Sequence, residues 1–192
     1  MKPDTPFARV PRDLLPPNLQ KAWDSSQKLH GDATFIEVFA NAPHVLDWYL
    51  KDFYEKLFYS GRIDRKIVEL VRLRLANIHG CAFCNRGDTI AALEAGVPQA
   101  QIDTLDNYET GPFSEREKAA LALADVMVLT NPKGHVSKDL YARARKHFDD
   151  GEMVELGVLM AVLCGMAKMI FAYDLVEKMD TCPFIPAQHA AE

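Results

Sequence analysis

Apolar residues recur at helical spacing along most of the chain, and nowhere do they alternate cleanly with polar ones between turn residues. The pattern therefore predicts helices without strands. Leu19 to Leu29 reads as a first helix that stops near Gly31, and Phe35 to Ala40 as a short second one. Asn41 is placed to cap a third, with Pro43 in its first turn, where proline is tolerated. It runs through Val45, Leu46, Trp48, Tyr49, Phe53 and Leu57 to about Tyr59, and Gly61 stops it. A fourth helix starts beside Asp64, carries Ile67, Val71, Leu75 and Ile78 at helical spacing, and breaks at His79-Gly80. A fifth opens at Cys81 and runs to Ala95, with Gly96 set for a left-handed stop and Pro98 soon after. A short helix near Pro98–Leu105 follows. Ser114 and Glu117 have the spacing of a capping box and open a helix to Leu129. Ser137 caps another to about Phe148, and a long last helix runs from Gly151 to about Met179.

The expected architecture is all-α, a single-domain bundle of about eight helices. Residues 1–15, interrupted by Pro3, Pro6 and Pro11, read as an extended N-terminal arm. Residues 16–180 form the helical domain, with a helix pair at 62–96, and 181–192 form a C-terminal tail.

Composition narrows the function. A chain of 192 residues buries roughly 70% of its unfolded surface and needs no disulfides to fold. Its 22 Lys+Arg against 27 Asp+Glu leave a net charge of −5, which disfavours nucleic acid as the main partner. A hydrophobic content of 48% with 26% charged residues excludes wholesale disorder. Met1-Lys2-Pro3-Asp4-Thr5-Pro6 lacks the apolar core of a signal peptide. The apolar run Leu156–Tyr173 is broken by Lys168 too early for a membrane span. A soluble, cytoplasmic protein without a membrane partner is expected. The same run, with the aromatic third helix (Trp48, Tyr49, Phe53, Tyr54), offers more apolar surface than small helices cover. That predicts a homo-oligomer, with those aromatics as core or interface rather than a ligand box.

The chemistry centres on Cys81-Ala82-Phe83-Cys84. Both thiols lie at a helix start, where free N–H groups and the helix dipole favour thiolate, the nucleophilic form. A two-residue spacer lets the sulfurs meet, so one can attack a peroxide or disulfide and the other resolve the product. A structural disulfide or half of a zinc site are the alternatives, but no second close Cys/His pair completes a zinc site and only His79 is near. No metal or cofactor is called for. Glu69, on the preceding helix, is within reach as a proton acceptor, or else forms a surface ion pair with Arg65 at i−4 and Arg72 at i+3. Cys164 reads as a small core residue, and Cys182 as a tail thiol without a role. Lys168 reads as a side chain that snorkels or pairs with Asp174 or Glu177.

Glu69, Cys81, Cys84 and the polar residue Asp88 resemble the Glu-x11-Cys-x2-Cys-x3-His signature of the alkyl hydroperoxidase D / carboxymuconolactone decarboxylase superfamily. Asn77 to Cys84, Ala91 to Val97, Ser114 to Leu121 and Glu152 to Val162 are similar to its motif pair and later helices, over roughly residues 40–178. The resemblance implies an AhpD-like bundle, trimers or hexamers, and a thiol-dependent peroxidase or disulfide oxidoreductase, with a hydroperoxide substrate and a dithiol reductant as partners. It assigns attack to Cys84, resolution to Cys81 and a proton relay to Glu69; the helix dipole alone favours Cys81 as the more acidic thiol. The family histidine is Asp88 here. An ionised carboxylate beside Cys84 raises the thiol pKa by repulsion. Asp88 reads equally as a surface carboxylate near Arg86. His79 stands in for the missing imidazole, or else its ring meets the last carbonyls of its helix. The superfamily's lactone decarboxylases leave a reading in which the Cys pair is not used, and a non-catalytic redox-sensing oligomer is a third.

Overall fold

The computed structural model describes residues 1–185, and among these it contains helices and turns but no strand. The helices are α1 (Pro17–His30), α2 (Thr34–Phe39), α3 (Pro43–Asp47), α4 (Arg65–His79) and α5 (Ala82–Glu94). They are followed by α6 (Gln99–Asp103), α7 (Glu115–Met127), α8 (Lys138–Ala144) and α9 (Asp150–Ala172). Among the described residues the bundle is all-α, as the apolar periodicity predicts. The third helix departs from expectation: α3 continues without a break as a π-helix over Trp48–Phe58. Its cap departs too. Ala42 occupies the cap position, and the Asn41 amide instead donates to the Ala8 and Val38 carbonyls.

Helix α4 is the hub. One face joins the π-segment, α7, α8 and α9 in a core containing Phe53, Ile67, Val71, Ala120, Ala124, Leu156 and Met160. Its other face packs Leu70 and Leu73 on Ala92, Val97, Leu105 and Leu121. A helix buried from both sides carries its polar residues inside with it, and Glu69, Arg72 and His79 are all buried. The predicted Ser114 capping box is present, and Asp149 forms a second one with Glu152 at the start of α9.

The last helix ends at Ala172, not near Met179. Asp174 takes a positive φ of 54°, and its carboxylate accepts the Asp4 N–H (2.8 Å) and pairs with Lys178. Residues 174–185 then cross the α4–α5 turn as a strap. Leu175 and Val176 are fully buried, Met179 N–H bonds the Gly80 carbonyl (2.8 Å), and Phe83 N–H bonds the Glu177 carbonyl (3.1 Å). The N-terminal arm docks along this strap. Met1 and Lys178 exchange two backbone bonds, Thr5 Oγ1 donates to the Tyr173 carbonyl, and Phe7 stacks on Tyr173. The end of the expected tail also packs: Phe184 stacks on Phe171 at 5.3 Å, and residues 186–192 lie outside the described residues.

By length and composition alone α9 is long and apolar enough to cross a membrane, with a mean hydropathy of 1.9. Its inner residues, among them Leu156, Leu159, Met160 and Ile170, are core. Its outer face runs Val154, Val158, Ala161, Gly165, Lys168 and Ala172, all exposed. Lys168 pairs with neither expected carboxylate. It lies over the Phe184 ring at 5.8 Å, while Glu177 binds Arg86 and Lys2.

Candidate functional site

The site begins where α4 ends. Gly80 turns the chain with φ +66°, and a Cβ there would lie 2.5 Å from the Cys182 Cα, so both conformation and crowding require glycine. Cys182 is buried, not exposed in a tail, and its thiol donates to the His79 carbonyl at 3.2 Å. The turn delivers Cys81 to the N-cap of α5, where its Sγ accepts the Cys84 N–H at 3.1 Å. The two sulfurs are joined as a disulfide. Cys81 is 1% exposed, whereas Cys84 is partly exposed, and both line a cavity.

That cavity has a volume of about 160 Å³. Phe35, Phe83, Leu163, Met166, Ile170 and Val176 give it apolar walls, and Tyr49, Tyr54, Arg72, His79 and Asp88 supply polar groups. Four of the five residues singled out from the sequence therefore line one space. Glu69 is not at its surface and reaches it through Arg72.

Glu69 is fully buried, so its ion pairs are not on the surface as the local sequence suggests. Its Oε2 lies 2.7 Å from Arg72 Nη2, its Oε1 accepts from the Tyr59 hydroxyl (3.1 Å), and Arg65 stands 3.8 Å away. On the other side Arg72 Nε is 3.1 Å from Asp88 Oδ1. Glu69 Oε2 and Arg72 Nε are nonetheless buried without an aligned hydrogen bond, so these are charge contacts first. Burial pushes the Asp88 carboxyl up to about 6; Arg72 pulls it down and Glu69 pushes it further up. Burial likewise raises Glu69 against the pull of Arg72. Burial opposes the Arg72 charge, but Asp88, the tyrosines and Glu69 overcome it and hold the guanidinium above its ordinary range.

Two expectations are corrected here. Asp88 is neither a surface carboxylate nor a partner of Arg86: it is largely buried beside Arg72, and Arg86 binds Glu177 at 2.5 Å. Its charge is thus offset by a cation before it acts on Cys84. His79 does not cap its own helix. Its Nε2 accepts the Leu129 N–H (3.0 Å), and burial lowers its pKa to about 4, so the ring is neutral. Cys164 is core, donates to the Met127 carbonyl (3.3 Å), and burial pushes its thiol up to about 11.

Sequence reasoning missed Arg72 as the centre of the network, and Tyr49 and Tyr54 as lining groups. The signal available for the tyrosines is their repeat every five positions, Tyr49, Tyr54 and Tyr59. That is a π-helical period rather than an α-helical one.

A profile of the carboxymuconolactone decarboxylase family matches residues 45–126, the stretch that holds the π-segment, Glu69, the cysteine pair and Asp88. The uncharacterized protein YdfG of Bacillus subtilis (strain 168) is 34% identical over 107 residues, 55% of this chain and 72% of that protein. The chain belongs to the carboxymuconolactone decarboxylase family. Solved structures of similar fold include the alkylhydroperoxidase AhpD core of an uncharacterized peroxidase-related protein from Ralstonia eutropha JMP134. It has a TM-score of 0.69, 16% identity, and coverage of 92% of this chain and 95% of that one. The debrominase Bmp8, in complex with 2,3,4-tribromopyrrole, superposes with a TM-score of 0.71 at 15% identity over 94% of both chains. At these identities the likeness is one of fold.

Proposed function

We propose that this family member is a thiol-dependent peroxidase that reduces small organic hydroperoxides and is re-reduced by a dithiol donor. The observation that carries the reading is the Cys81–Cys84 disulfide at a cavity that also holds a carboxylate, Asp88, paired with a buried arginine. In the reduced protein Cys84 is the attacking thiol, because it is partly exposed while Cys81, which also lines the cavity, is only 1% exposed. Asp88, one turn further along α5, takes the Cys84 proton. A carboxylate raised to about 6 is a better acceptor near neutrality than an ordinary one. The thiolate attacks the terminal oxygen, the O–O bond breaks, and the alkoxide collects the proton from Asp88 and leaves as alcohol. The Cys81 thiol then attacks the Cys84 sulfenic acid. The disulfide closes, and the departing hydroxide takes the Cys81 proton to become water. The sum is one hydroperoxide and two thiols giving alcohol, water and disulfide. The N–H donated to Cys81 Sγ favours Cys81 as leaving thiolate when a reductant attacks Cys84. Arg72 and Glu69 position Asp88 and set its charge.

The size of the cavity favours an organic substrate. Its 160 Å³ is more than hydrogen peroxide fills and suits a benzene-sized group. The test is a thiol count on reduced protein before and after one equivalent of cumene hydroperoxide. Two of the four thiols per chain disappear, and Cys84→Ser abolishes the loss. No loss in the unmodified chain overturns the reading.

We also propose a soluble, cytoplasmic homo-oligomer, a trimer or hexamer, in which a second copy covers the outer face of α9. Val154, Val158, Ala161, Gly165, Lys168 and Ala172 alternate three and four apart, the seam spacing of packed helices, and Lys168 is its only charge. Light scattering gives a multiple of 21.6 kDa, and Val158→Glu moves it toward that value. A single-chain mass for the unmodified protein overturns this.

A further inference from the structure

The π-helix over Trp48–Phe58 hydrogen-bonds residues five apart, and the register continues past its end, where the Tyr59 N–H bonds the Tyr54 carbonyl at 2.9 Å. In an α-helix positions five apart diverge by about 140°. Here they share a face. Tyr49 and Tyr54 meet edge to face with centroids 5.1 Å apart, and both line the cavity. Helical segments of this kind recur at functional sites because they re-aim side chains that a regular helix would turn away.

The two hydroxyls stand 3.4 Å apart. A working O–H···O bond is about 2.7–2.8 Å, so neither donor is well used by the other. Burial raises both phenols, so both remain protonated donors at neutral pH. Buried hydroxyls take partners where they can, and an oxygen lodged against this pair would accept from both. Arg72, whose guanidinium carbon is 5.7 Å from the Tyr54 ring centre, and Asp88 keep this end of the cavity polar. Phe35, Phe83, Leu163 and Ile170 keep the remainder apolar.

We propose that Tyr49 and Tyr54 form an oxygen clamp: two phenol donors that bind the oxygen of a ring-sized organic hydroperoxide, or of its alcohol product, while the apolar walls hold the hydrocarbon. The inference rests on the peroxidase reading for the identity of the reacting oxygen, but binding of the alcohol does not depend on it. In the reaction the clamp would meet negative charge as it develops on the departing alkoxide.

The test uses the full chain in its disulfide form and two probes of nearly equal shape, benzyl alcohol and toluene, titrated by NMR. Tyr49→Phe and Tyr54→Phe each weaken benzyl alcohol by about fivefold, the equivalent of one neutral hydrogen bond, and leave toluene unchanged. Equal weakening of both probes means the tyrosines only shape the wall, and overturns the clamp. So does unchanged alcohol affinity, or failure of the unmodified protein to bind benzyl alcohol. Toluene binding also shows that each variant is folded. If the clamp behaves as expected while reduced protein loses no thiols to hydroperoxide, the peroxidase reading fails and the binding site stands.

Discussion

Arg72→Met removes the cation 2.7 Å from Glu69 and 3.1 Å from Asp88. What is left near Glu69 is Arg65, 3.8 Å away on a half-exposed side chain. Breaking a buried ion pair from one side costs about 3–5 kcal/mol, because the partner stays behind uncompensated. For a chain of this size that lowers the melting temperature by roughly 6–20 °C. The loss depends on pH, with a definite sign. A carboxyl whose folded pKa is raised binds its proton more tightly folded than unfolded. It favours the fold at low pH, and that contribution is lost as pH climbs through the folded value. Asp88 already stands at about 6 against an ordinary 3.8, with Arg72 holding it down. Without the guanidinium, Asp88 and Glu69 both titrate higher. The variant is therefore most handicapped at about pH 8, where wild type ionises Asp88 against Arg72, and recovers toward about pH 5 as that carboxyl protonates. Denaturant midpoints of both proteins at the two pH values measure this, with carboxyl NMR of Asp88 as a direct check. A destabilisation equal at both pH values would falsify the charge argument and reduce Arg72 to a space-filling role.

Asp88→Asn keeps the shape but removes the proposed proton acceptor. Oxidation of reduced protein by cumene hydroperoxide slows by about 100-fold, and the rise in rate with pH centred near 6 disappears; a change below threefold (about 0.7 kcal/mol) contradicts the assignment. His79→Phe leaves the half-buried Leu129 N–H without its partner and costs about 1 kcal/mol in denaturant melts. Because the folded His79 titrates only at about 4, the unfolded chain takes up that proton first as pH falls from about 6.5. Wild type loses stability across that window, and the variant lacks this part of the slope. Gly80→Ala meets both a positive φ and the Cys182 backbone, so it destabilises by at least about 1–3 kcal/mol. It also makes the Cys182 thiol reactive in the folded protein, and a Cys182 that stays inert in a variant as stable as wild type speaks against the packing described.

The fold was largely legible because its cues are local. Ser114 with Glu117, Ser137 and Gly96 act over three or four residues, and each is found at the helix end its chemistry predicts. The Cys81–Cys84 turn is equally local. The misses required knowledge of what lies across the chain. Asp88 looks exposed in a sequence with Arg86 two residues away, yet Arg72, from the neighbouring helix, claims it. His79 reads as a helix-end residue until Leu129, fifty positions on, donates to it. The end of α9 is set by Asp174 contacting residues of the opposite terminus, not by a proline or glycine that pattern reading would notice. The π-segment hides because aromatic residues are dense enough there to satisfy a 3.6-residue period and a five-residue period alike.

The cysteine pair encloses a loop of only four residues. Loop-closure entropy for so short a ring is about 2 kcal/mol, against roughly 4.7 kcal/mol for one that ties distant parts of a chain. Opening it relaxes little of the unfolded ensemble, and the cores on both faces of α4 are apolar packing that includes neither cysteine of the pair. In the proposed peroxidase cycle the bond would therefore open and close with the fold as a fixed frame, so that the free energy of electron exchange is spent at the sulfurs and not diverted into refolding the chain.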